Sequence, residues 1–181
     1  MFGLNLLVHK GKTIFVGDTS VHEYPSSEQM AEIAISAARV VRLFGFDPKV
    51  AFVSHSTFGQ PLTSRTKHIK DAVEILKKRK VDFEFDGDMQ PDVALDEEYK
   101  SLYPFSKIVG NANILIMPGQ HSAAISYKMM KTLGDAKVIG PLLIGLGLPI
   151  EIAPLRSSTS EIINLASIAA YSADVINYNK D

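Results

Sequence analysis

Val50-Ala51-Phe52-Val53-Ser54-His55-Ser56-Thr57-Phe58-Gly59 decides the fold. Four apolar residues, two of them β-branched, make a short strand buried on both faces, and five polar or small residues with Phe58 among them then make a loop. Ten-residue-plus stretches with helical spacing flank this unit on both sides. Before it, Ser26-Ser27-Glu28-Gln29 offers a capping box, with Ser26 as cap and Gln29 three residues on. The apolar positions Ile33, Ala34, Ala37, Val40, Val41 and Phe44 then recur at helical spacing, and Gly45 supplies a left-handed stop. After it, Thr63 to Lys80 carries Ile69, Ala72, Val73 and Leu76 on one face and ends in Lys77-Lys78-Arg79-Lys80, a solvated terminus that suits the helix dipole.

Working outward, the alternation continues. Leu4–Val8 and Thr13–Val16 read as a hairpin around His9-Lys10-Gly11-Lys12. Phe83–Phe85 reads as a short strand followed by an acidic loop, Asp86-Gly87-Asp88. Asn113–Met117 is a buried strand ending at Pro118-Gly119, and a helix follows from about Ser122 to Leu133. Lys137–Leu148 is apolar and punctuated by glycine, and Ile150–Ala153 is a last short strand. Ser157 or Ser158 caps a final helix running to about Asn177. Strands separated by helices imply an α/β domain whose mainly parallel sheet is sandwiched by helices. Ligands in such sheets bind at the carboxyl ends of strands, which directs attention to 54–60, 86–92 and 118–122.

Composition excludes several classes. The 181 residues are 46% hydrophobic and 22% charged, which fits a globular chain, and the formal net charge of -1 gives no basic surface for nucleic acid or membrane. There is no cysteine, so disulfides, thiolate metal sites and cysteine nucleophiles are out. No leader pattern and no apolar run of membrane length is present, which leads to the expectation of a cytoplasmic protein. A mean hydropathy of +0.08 in so small a chain points to apolar surface left over for an interface. The final helix agrees: Ile162, Ile163, Leu165, Ala166, Ile168, Ala169, Tyr171, Ala173, Val175 and Ile176 go most of the way round it, so it must be covered on most sides.

Two glycine motifs fail. Gly11-Lys12-Thr13 would need a glycine where Leu6 stands, and Gly145-Leu146-Gly147 would need one at Ile150. The five histidines have no metal spacing, and Asp86, Asp88 and Asp92 read as a solvated turn, so no metal site is expected. Ser54 and His55 are adjacent on an extended segment and point apart, which argues against a nucleophile pair. Two segments remain as anion sites. Ser54, Ser56, Thr57 and Gly59 offer hydroxyls and a close backbone approach at a strand tip. Arg156, Ser157 and Ser158 offer a guanidinium beside capping hydroxyls at a helix start.

The segments VAFVSHSTFG (50–59), FDGDMQPDVAL (85–95), PFSKIVGNANILIMPG (104–119) and GPLLIGLGLPIEIAPLRSSTSEIINLASIAA (140–170) occur in the order and spacing seen in the phosphate acetyltransferase/butyryltransferase family. The chain resembles that family from about Asp18 to its end, and most closely the acetyltransferase-like domain at the C-terminus of large bacterial NADP-dependent malic enzymes. The resemblance implies the second domain of a two-domain, isocitrate dehydrogenase-like fold, with residues 1–155 as that domain and 156–181 as a closing helix returning to the first domain or an interface. It also implies a homo-oligomer, dimer or higher. Catalytic members of the family move an acyl group between coenzyme A and phosphate, using a serine-arginine pair and a later aspartate. Here those positions hold Pro154, Leu155 and Glu161, and a commonly found asparagine is matched by Ala124. The expectation is therefore a domain without catalytic residues that binds acetyl-CoA through Ser54, Ser56, Thr57, Gly59, Arg156, Ser157 and Ser158. A malic enzyme catalytic domain would lie in cis, with NADP and a divalent metal confined to it. The alternative is the catalytic half of a phosphate acyltransferase.

Overall fold

Alternating apolar residues along the central strands face two separate cores, which makes the molecule three layers deep. The computed structural model describes the backbone of residues 1–178 and the side chains of 1–64 and 66–173. Its elements are β1 (Phe2–His9), β2 (Lys12–Gly17), α1 (Ser27–Leu43), β3 (Lys49–Val53), α2 (Ser64–Arg79), β4 (Glu84–Met89), α3 (Pro91–Leu95) and α4 (Glu97–Ser101). After these come β5 (Ile114–Ile116), α5 (Gln120–Leu133), β6 (Lys137–Ile144) and α6 (Thr159–Tyr178). The six strands form one sheet in the order β4-β3-β5-β2-β1-β6. β2, β5, β3 and β4 are parallel neighbours; β1 is antiparallel to both β2 and β6. Five strands thus run one way and β1 alone runs against them, which is the mainly parallel α/β sheet expected.

Val50 and Phe52 join Phe15, Ile114 and Ile116 in a core roofed by α1 and α2. Ala51 and Val53 face the other way, with Leu115, Met117 and Ala123 of α5. Period-two alternation on a sheet covered on both sides places every one of these residues in the interior. The helix signals are realised as read. Ser26 caps α1 in a reciprocal box with Gln29, and Thr63 caps α2 in the same way with Thr66. Gly45 turns the chain out of α1 at φ +81°.

Three local expectations are corrected. Asp86-Gly87-Asp88 is not a solvated loop but the middle of β4, and Asp88 is fully buried. Its carboxylate accepts the Ser56 hydroxyl, and that of Asp86 accepts the Gly87 and Lys107 N–H groups. Such pairing offsets the cost of burying a carboxylate in a strand, although Asp88 Oδ1 has no partner among the described residues. Ile150–Ala153 forms no strand, only one bridge between Glu151 and Leu142. The short helices α3 and α4 fill a segment in which no element was expected.

The described residues do not cover α6 as its composition demands. Within the chain it buries Leu165 against the α1/α2 core, while Ile162 and Ile163 stay half exposed. Val175 and Ile176, also counted in its apolar surface, have side chains outside the described part, and residues 179–181 lie outside it altogether. No helix among the described residues is long and apolar enough to cross a membrane.

Candidate functional site

β3 leads through α2 outward to β4, whereas β5 leads through α5 in the other direction to β6. Neighbouring parallel strands whose connections depart to opposite sides leave a crevice at their carboxyl ends. That crevice lies between the ends of β3 and β5, so Ser54-His55-Ser56-Thr57 and Pro118-Gly119 stand at it.

The polar side chains of the 54–59 loop, His55 excepted, turn inward. Ser54, Ser56 and Thr57 are buried. Ser56 donates to Asp88 and lies 3.2 Å from the Ser54 hydroxyl. Thr57 Oγ1 accepts the Gln90 N–H at 3.2 Å, and Gln90 Nε2 donates to the His55 carbonyl at 3.0 Å. Backbone bonds from Ser54 N to Met89 O and from Phe58 N to Asp88 O complete the seam. These hydroxyls weld the tips of β3 and β4 together. The groups they leave for a ligand are the exposed His55 and the half-buried ring of Phe58; Gly59 is itself buried, at a φ of +82° that only glycine adopts freely.

A second polar constellation at the rim was not anticipated. Asp18, at the end of β2, is buried and accepts N–H bonds from Gly3, Ser20, Val21 and His22. Its Oδ2 also lies 2.6 Å from Nδ1 of the His22 ring. This fixes the turn into α1 and presents a partly exposed imidazole beside the N-terminus of α5, where Gln120 N donates to His22 O. The sequence signal was an aspartate directly after a strand with a histidine four residues on.

Arg156, Ser157 and Ser158 lie elsewhere. Ser157, Pro154 and Glu161 line a cavity of about 50 Å³ with Tyr127 and Lys131 of α5 and Val138 to Pro141 of β6. The Ser157 hydroxyl is buried there without a partner. Ser158 and Glu161 form a reciprocal capping box at the start of α6: Ser158 N and Oγ donate to Glu161 Oε2, and Glu161 N donates back to Ser158 Oγ. Lys131 Nζ donates to Glu161 Oε1 at 2.9 Å. The lysine first, then the serine N–H and hydroxyl, hold the Glu161 carboxyl down to about 2. Arg156 is exposed and makes no ion pair among the described residues, and Leu155 is wholly exposed.

The two segments are not brought together, so the expectation of one shared cavity is corrected. β3 and β6 stand four strand spacings apart, about 19 Å. The 54–59 loop is at the carboxyl end of β3, whereas Ser157, Ser158 and Glu161 lie along the first half of β6. Those strands are parallel, so the segments occupy opposite ends as well as separate regions of the sheet. Among the described residues no group of three or more histidines and carboxylates is placed to hold a metal ion.

Residues 1–170 match the family described as phosphate acetyl/butaryl transferase. An NADP-dependent malic enzyme of Rhizobium meliloti is 46% identical over 173 residues, which cover 96% of this chain and 23% of that protein. A phosphate acetyltransferase of Clostridium acetobutylicum is 36% identical over 162 residues, 88% of this chain and 49% of its own. The crystal structure of a phosphotransacetylase from Streptococcus pyogenes matches with a TM-score of 0.88 at 31% identity, over 95% of this chain and 53% of that one. The chain therefore spans about a quarter of the length of the malic enzyme and about half that of the transferases.

Proposed function

We propose, since the chain belongs to the phosphate acetyl/butaryl transferase family, that it is a non-catalytic, acetyl-CoA-sensing and assembly domain of an NADP-dependent malic enzyme. Oxidation of malate to pyruvate and carbon dioxide, with NADP and a divalent metal, would belong to a catalytic domain in cis. The likeness to about a quarter of a malic enzyme supports the parent.

One observation carries the loss of catalysis: the positions that resemblance assigns to a serine-arginine pair hold Pro154 and Leu155, both exposed and uncharged. Acyl transfer between a thiol and phosphate needs a base near neutrality and a fixed cation for the phosphate. Glu161, at the aspartate position, is held near 2 and is too weak a base for a thiol. Arg156 is one place displaced. We assign it the ligand phosphate, with Ser157 and Ser158 beside it, and the 54–59 loop the role of a second contact surface, in which the buried Ser54, Ser56, Thr57 and Gly59 hold His55 and the Phe58 ring outward. Given their separation, these are two distinct contact patches. Homo-oligomers would form through the apolar surface of α6.

Isothermal titration calorimetry on the intact protein tests the reading. Acetyl-CoA binds, and Arg156→Ala weakens it about tenfold, the worth of one charge-assisted hydrogen bond. Conversion of acetyl-CoA and inorganic phosphate into acetyl phosphate by the intact protein would identify a working transferase half instead.

A further inference from the structure

Phe58, Tyr103 and Phe105 form a three-ring cluster beside β4. Ring centroids lie 4.8 Å apart for Phe58 and Phe105, 5.6 Å for Phe58 and Tyr103, and 6.1 Å for Tyr103 and Phe105. Phe58 and Tyr103 pack partly against the core, but Phe105 is 63% exposed. Phe58 sits in the left-handed region, φ +48°, a conformation a bulky residue adopts only when its surroundings impose it. Packing accounts for two of these rings; it does not account for an open aromatic face held next to them.

Cations stand beside the rings. The Lys70 ammonium crosses the loop so closely that it leaves no room for a Cβ on Gly59. A groove of about 230 Å³ opens there, lined by Phe58, Lys70, Glu74, Lys77 and Asp86 among others. Its two carboxylates are already engaged. Glu74 pairs with Lys77, and that bond, with Lys107 and Lys78 nearby, holds its carboxyl low. Asp86 accepts the N–H groups of Gly87 and Lys107. Lys70 and the exposed Lys107 have no carboxylate within ion-pair distance among the described residues. An exposed π-face beside uncommitted ammonium groups is the chemistry that takes a purine and its phosphates.

We infer that this shelf binds the adenine and phosphates of an adenosine bisphosphate, the base stacking on Phe105 and Phe58 and the phosphates meeting Lys70 and Lys107. Identification of that nucleotide as the head of coenzyme A rests on the acetyl-CoA reading above; the stacking site itself does not. The shelf adjoins the 54–59 loop, so it extends the second contact surface toward the outer edge of the sheet.

Calorimetry on the full chain separates the two ideas, with adenosine 3′,5′-bisphosphate, acetyl-CoA and inorganic phosphate as probes. The bisphosphate binds, and Phe105→Ala weakens both it and acetyl-CoA about tenfold, the size of one base-stacking contact. Phe105 is exposed, so this variant keeps the fold, and Lys70→Gln gives a second loss, shared by all three probes because each carries phosphate. No binding of the bisphosphate, or equal affinity with and without the Phe105 ring, overturns the inference. Acetyl-CoA binding that ignores both substitutions removes the shelf and leaves the sensing role standing. Bisphosphate binding that needs Phe105, in a protein blind to acetyl-CoA, upholds the shelf as a free-nucleotide site and removes the sensing role.

Discussion

Glu151 is where a single side chain sets a pH response. It is half-buried beside β6, its Oε2 has no partner, and burial pushes its carboxyl up to about 7. A raised acid means that the folded state prefers the neutral form. The stabilisation this gives is complete below the ordinary value of 4.5 and is lost as pH rises through about 7. Glu151→Gln keeps the shape and removes the charge. Its melting temperature should exceed that of the parent by about 2–4 °C at pH 8 and converge on it below about pH 4.5, in thermal unfolding followed by circular dichroism. Glu161 has the opposite sign. Its carboxyl is held at about 2, so the contribution of the α6 capping box is present at neutral pH and is lost only as pH falls from about 4.5 toward 2. The Ser158 and Ser26 caps were legible because a cap and its partner lie three residues apart. The state of Asp88 was not, because the hydroxyl that binds its Oδ2 comes from Ser56, 32 positions away in the loop after β3. Local polarity alone reads such a residue as solvated.

At the scale of elements, α6 hangs on few side chains. Leu165 is its one fully buried residue among those described, with Ile168 packed beside it and the Tyr171 hydroxyl donating to Leu43 O. Leu165→Ala should cost about 2–5 kcal/mol of that attachment. Hydrogen exchange should then show residues 159–173 losing protection while β3 and β5 keep theirs; uniform loss across the sheet would contradict the assignment of Leu165 as a local anchor. Helix lengths and caps were readable along the chain to within a few residues. The place of each helix relative to the binding loops was not, since this depends on strand order. A hairpin at the start of the chain lies between β5 and β6, and that insertion moves the start of α6 away from the tip of β3. No spacing within either segment records it.

For the whole molecule, the surplus of apolar surface announced by composition is located. Leu148, Ile150, Ile152, Leu155, Ile162 and Ile163 are all half exposed or more, and Ile125, Met129 and Leu133 of α5 add to them. Single exposed apolar residues are ordinary, but so many within 148–163 call for a covering surface. Sedimentation velocity should show a dimer or larger species, and Ile163→Glu should shift it toward a smaller one. A monomer at micromolar concentration would remove the assembly role and leave ligand binding untouched.

The pairing of Phe15 with Ile114 and of Leu4 with Leu142 has a bearing on synthesis. As the polypeptide emerges from the ribosome, β1 and β2 can pair with each other at once, but the outer side of β2 stays unsatisfied until nearly a hundred further residues have been made. β1 waits longer still. The nascent hairpin therefore exposes two adhesive edges until β5 and β6 have been made.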